Sequence, residues 1–136
     1  MARSINWPGV FAALVVTQVL SFLWFGRLFG PQLHGLMSPA ARTPLGMAEG
    51  AGLALVAIIG LNVILNRMGA VGFMPGAAGG ALLWVFLPLI GEVMNVLYMG
   101  ESTSLFLIHA GWTLVFLVVA GALVEGLRFG PRPQRS

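Results

Sequence analysis

Apolar residues run along this chain in four long blocks, not in short alternating groups. The blocks cover about Ile5–Phe25, Leu45–Leu65, Ala77–Met99 and Ser104–Val124. Each reaches the ~20 residues that an α-helix needs to cross a ~30 Å hydrocarbon core. Lipid offers no partner to backbone N–H and C=O groups, so a spanning segment must satisfy them internally, as a helix does. The blocks are too long for barrel strands and show no period of two, which argues against a β-barrel. The pattern predicts an all-α integral membrane protein: a four-helix, antiparallel, up-down bundle forming one membrane domain over residues 1–136.

The breaks between blocks carry stop chemistry. Gly26-Arg27-Leu28-Phe29-Gly30-Pro31 closes the first span and Gly126-Leu127-Arg128-Phe129-Gly130-Pro131 closes the fourth. Glycine after a helix end followed by proline is ordinary termination. Asn66-Arg67-Met68-Gly69 ends the second span. Gly100-Glu101-Ser102-Thr103 is short enough to make spans three and four a tight hairpin. Residues 30–44 form the one sizeable loop, where Leu33, Leu36 and Met37 fit a short interfacial helix. Residues 126–136 form a basic tail.

Composition supports the same class. Apolar side chains make up 58% of the 136 residues and charged ones 8%, against ~25% charged in soluble domains. Cysteine is absent, which excludes disulfides, thiol nucleophiles and thiolate metal sites. The seven cations are all arginine, at positions 3, 27, 42, 67, 128, 132 and 135, and the four anions are Glu49, Glu92, Glu101 and Glu125. The arginines sit where apolar blocks end, so the +3 charge reads as membrane-flank charge and not as a nucleic-acid surface. Arg3, Arg67, Arg128, Arg132 and Arg135 share one side of the predicted bundle, and Arg27 and Arg42 the other. The positive-inside rule then puts both termini in the cytoplasm. The first span is too long for a signal peptide and reads as an uncleaved anchor. Trp7, Trp24, Tyr98 and Phe129 fall near span ends, whereas Trp84 and Trp112 sit deeper, between helices.

Several local sequences are distinctive. Ile5-Asn6-Trp7 opens the first span, and Leu23-Trp24-Phe25-Gly26 with Leu28-Phe29-Gly30 closes it. Gly80-Ala81-Leu82-Leu83 and Met94-Asn95-Val96-Leu97-Tyr98 follow later. Gly100-Glu101-Ser102-Thr103-Ser104-Leu105-Phe106-Leu107-Ile108 leads into Ala110-Gly111-Trp112. Together these resemble the small bacterial four-span membrane proteins of the domain of unknown function number seventeen sixty-one. The resemblance implies four spans and a bacterial cytoplasmic (inner) membrane address, and it implies no activity. The chain departs from that family's usual pattern at Glu92, His109 and Trp112-Thr113.

Ionisable groups in hydrocarbon cost ~2.5–3.5 kcal/mol on insertion scales and usually face protein or a water cavity. Glu92 and Asn95 lie three apart on the third span, and His109 and Thr113 four apart on the fourth, so each pair shares a helix face. Counted from Ser102, Asn95 and His109 sit at one level, with Glu92 and Thr113 about a turn deeper. A network of Glu92, Asn95, His109 and Thr113 is therefore expected, with Gln18, Ser21 and Glu49 at comparable depths. It serves either as a proton relay or ion site, or as interhelical hydrogen bonds of ~0.6 kcal/mol each. His109 is also the kind of side chain that ligates a metal, haem or chlorin. No second ligand or spacing motif stands beside it, so no metal and no cofactor is expected. His34 falls in the loop. Glu49 suits the positive end of its helix or a pair with Arg27, Glu125 a pair with Arg128 or Arg67, and Asn62 an interhelical donor role.

Small residues add a packing signal. Gly46 and Gly50, extended by Ala54, and Gly76 and Gly80 both have GxxxG spacing, which lets membrane helices approach closely. Pro88 lies mid-span and is expected to kink the third helix one turn before Glu92. P-loop, dinucleotide-fingerprint, HExxH and GxSxG motifs are absent from the sequence. The leading expectation is a non-catalytic membrane protein that works by helix packing, with itself or other membrane subunits as partners. The alternative is a small proton, cation or solute transporter or channel built on Glu92, Asn95 and His109.

Overall fold

The computed structural model describes residues 5–28 and 44–127, and among them no strand occurs. Helix α1 (Trp7–Phe22) continues into a π-helical stretch, Leu23–Leu28. Then come α2 (Pro44–Arg67), α3 (Phe73–Phe86), α4 (Pro88–Met99) and α5 (Thr103–Gly126). With α1 and its π-helical end as one span and α3 with α4 as another, four segments are long and apolar enough to cross a membrane: Trp7–Leu28, Pro44–Arg67, Phe73–Met99 and Thr103–Gly126. These match the four predicted blocks, with ends displaced by a few residues, as helix ends commonly are. The expected loop helix and His34, Arg3, Arg42, Arg128, Phe129, Arg132 and Arg135 lie outside the described residues.

Each element has a local cause. Pro8 stands in the first turn of α1, where its missing N–H costs nothing. The Asn6 side chain accepts from the Gly9 N–H and caps that turn. Pro88 breaks the third span as expected: α3 ends at Phe86, Leu87 takes φ −121° and ψ −73°, and α4 begins at Pro88. Without an N–H, Pro88 also leaves the Trp84 carbonyl without its i+4 donor. The hairpin turn is made by Gly100 at φ 68°, a left-handed conformation that glycine adopts without a Cβ penalty. The Glu101 N–H closes back on the Asn95 carbonyl at 3.3 Å, and the Ser102 side chain caps α5 by accepting from Leu105 N–H.

The tight core lies toward the end of the bundle where α1 begins and α2 and α5 finish. Val10, Ala13, Ile58, Leu61, Leu65, Ala120 and Val124 are buried there. Close approach is licensed by glycine. A Cβ on Gly76 would fall onto the Gly121 carbonyl oxygen, and one on Gly80 onto the Leu117 carbonyl oxygen, so α3 lies backbone-to-backbone along α5. Of the two expected glycine seams, this is the one used among the described residues. On the other, no described atom lies within 4 Å of a Cβ built on Gly50. The first half of α2 and most of α4 face outward, with Leu45, Met47, Leu53, Leu97, Tyr98 and Met99 all at least 60% exposed. That is the surface acyl chains cover in a multi-pass membrane protein.

Candidate functional site

The hairpin between α4 and α5 gathers the site. Glu92 is one turn into α4, Glu101 sits in the three-residue turn, and His109 is two turns into α5. The left-handed turn at Gly100 sends Glu101 back over the end of the hairpin. Its Oε1 lies 3.1 Å from His109 Nδ1. Glu92, Glu101 and His109 each place one ligand-capable atom within 4.8 Å of the other two. Asn95 lies three residues beyond Glu92 on α4, on the same helix face. All three clustered residues are half-buried. The second oxygens, Glu92 Oε2 and Glu101 Oε2, are buried with no hydrogen-bond partner.

Aromatic rings from the end of the first span frame the cluster. The Phe25 ring lies 6.3 Å from the His109 ring and 5.7 Å, edge-on, from Trp112. Trp24 packs 6.2 Å from Trp112, donates its indole N–H to the Ile108 carbonyl at 3.2 Å, and rests on Gly111. A side chain at Gly111 would displace that ring. The π-helical stretch is the element that presents Trp24 and Phe25 to α5, and such windings are short and uncommon.

Of the expected network, Glu92, Asn95 and His109 come together, and Thr113 is engaged elsewhere. Thr113 donates to the Ala110 carbonyl at 3.0 Å and receives the Trp84 indole N–H at 3.1 Å. Trp84 also donates to the Ala110 carbonyl at 2.9 Å, so this tryptophan does pack between helices. Gln18 and Ser21 remain half-buried on α1, and Glu49 is exposed on α2. Glu101, from the turn, joins the cluster and was not among the residues expected there. Its signal was available: the acid lies in a turn too short to carry it away from its neighbours.

A second polar group occupies the opposite end. Asn62 is fully buried and donates from Nδ2 to Glu125 Oε1 at 3.0 Å, while its Oδ1 accepts the Asn6 backbone N–H at 2.9 Å. The Asn6 Nδ2 group donates to the Val124 carbonyl at 2.7 Å and the Leu127 carbonyl at 3.0 Å. One asparagine thus caps the start of α1 and the end of α5 at once. Glu125 is 2% exposed, and its neighbour here is Asn62; Arg128, one of its expected partners, lies outside the described residues. Thr17 is buried and donates to the Ala13 carbonyl at 2.7 Å. Sixteen residues separate His109 from Glu125, about 24 Å along a helix. The two polar groups therefore sit toward opposite membrane faces.

The model of a family described as protein of unknown function (DUF1761) matches residues 8–124. No curated protein and no solved structure matches the chain.

Proposed function

The chain belongs to that family, DUF1761, and from this premise we propose that it handles a cation, a proton or a metal ion, at the acid–imidazole cluster of its α4–α5 hairpin. One observation carries the reading: Glu92, Glu101 and His109 converge within 4.8 Å on membrane-spanning helices and their connecting turn. Ionisable groups in such segments are costly and usually mark ion pathways or relays. Two carboxylates held together repel unless a positive charge stands between them. Structural glue does not require that arrangement, because the other half of the same span, α3, is already joined to α5 by Trp84 and the Gly76–Gly121 approach.

The role is transport or binding, not catalysis. Four spans enclose little volume, so a pathway across the membrane is completed by a second copy or by another membrane subunit. Gly50 on α2, with no described atom near it, supports that association. The arginine distribution supports cytoplasmic termini, and on that reading the cluster lies toward the outer face. Proteoliposome flux is the test. Wild-type protein should carry protons or cations down a gradient, and Glu92→Gln should reduce the rate at least tenfold. Equal flux in wild type and variant would end this reading.

A further inference from the structure

We propose that Glu92, Glu101 and His109 form a binding site for one divalent first-row transition-metal ion of the Zn2+, Mn2+ and Co2+ class. The inference rests on the cation-handling reading and narrows it to a ligand. The donor set is two carboxylates and one imidazole. Imidazole suits Zn, Fe and their neighbours, whereas Mg2+ and Ca2+ favour all-oxygen shells. Donors about 2.1 Å from a shared ion stand about 3–4 Å apart. His109 Nδ1 and Glu101 Oε1 already stand 3.1 Å apart, and the whole triangle closes within 4.8 Å. Small side-chain rotations therefore complete it.

An independent observation points the same way. Glu92 Oε2 and Glu101 Oε2 are both buried without a hydrogen-bond partner. A buried, unsatisfied carboxylate oxygen is expensive, and a bound ion satisfies two at once. The charge also balances: two carboxylates offset one divalent cation, whereas a monovalent cation leaves one negative charge in the membrane end of the bundle. Asn95, three residues from Glu92 on the same face of α4, is placed to act as an outer partner of the ion. Such partners typically change metal affinity 10- to 100-fold. The imidazole side chain is 42% accessible and provides the entry route.

Co2+ titration of the purified full chain, in detergent and in nanodiscs, tests the site through the visible absorption of cobalt bound by nitrogen and oxygen donors. One Co2+ per chain should bind and be displaced by Zn2+. Glu101→Gln and His109→Gln should each weaken binding at least tenfold, while Glu49→Gln and His34→Gln should leave it unchanged. If a variant fails to fold, wild-type protein alone suffices: Zn2+ should slow diethyl pyrocarbonate modification of His109 at least fivefold and leave His34 unaffected. No cobalt band in wild type, binding retained when all three ligands are substituted, or unprotected His109 would each overturn the proposal. Flux without metal binding removes this inference and leaves the proton form of the function standing. Metal binding without flux keeps the site and removes the transport reading.

Discussion

Replacing Asn6 tests how the bundle is tied at its amino-terminal end. Its Nδ2 group donates to the Val124 and Leu127 carbonyls, and its Oδ1 faces the Gly9 N–H. Asn6→Ala removes two donors from carbonyls at the end of α5, each net bond being worth about 0.5–1.5 kcal/mol. It also removes an N-cap worth about 1 kcal/mol. The backbone N–H bond to Asn62 survives, so the expected loss is about 2–4 kcal/mol. SDS-driven unfolding from mixed micelles, followed by tryptophan fluorescence, measures it. Asn6→Asp separates the two contributions. Aspartate keeps the cap and suits the positive end of α1, but its second oxygen then faces two carbonyl oxygens. If capping alone mattered, Asp would match or exceed wild type. Loss in Asp equal to or greater than that in Ala is the result expected here. A change below about 0.5 kcal/mol in both variants would refute the dual role.

Three further outcomes follow from the packing. Gly76→Ala should destabilise by about 1–3 kcal/mol, because the added methyl meets the backbone of Gly121 and only separation of α3 from α5 relieves it. Gly50→Ala, with open space around it, should leave unfolding unchanged but alter migration in native gels if copies associate through α2. Trp84→Phe removes an indole donor shared by Ala110 and Thr113 and should cost about 1 kcal/mol by the same unfolding assay. A carboxy-terminal reporter should be active only in the cytoplasmic form; periplasmic activity would reverse the orientation assigned from the arginines.

What was legible in the sequence is what depends on position along one dimension. Span number follows from the length of apolar runs, because the bilayer sets a minimum. The break at Pro88 follows from a missing N–H, and the hairpin from a turn with room for little else. The pairing of Glu92, Asn95 and His109 was also within reach, since spacing on a helix puts residues on common faces. Lateral placement was decided only by the tertiary structure. Counting levels from Ser102 assumes straight helices on both sides. The break at Leu87 and the left-handed turn at Gly100 change that register. Thr113 therefore meets Trp84, and Glu101 turns inward to His109. Likewise, equal GxxxG spacing did not tell which seam is occupied, because that depends on which helix lies opposite: α5 brings Gly121 to Gly76, and no atom of the described residues approaches Gly50. Asn6 and Val124 are 118 positions apart, and no local pattern encodes their contact. It exists because four antiparallel spans return the chain to the membrane face from which it set out.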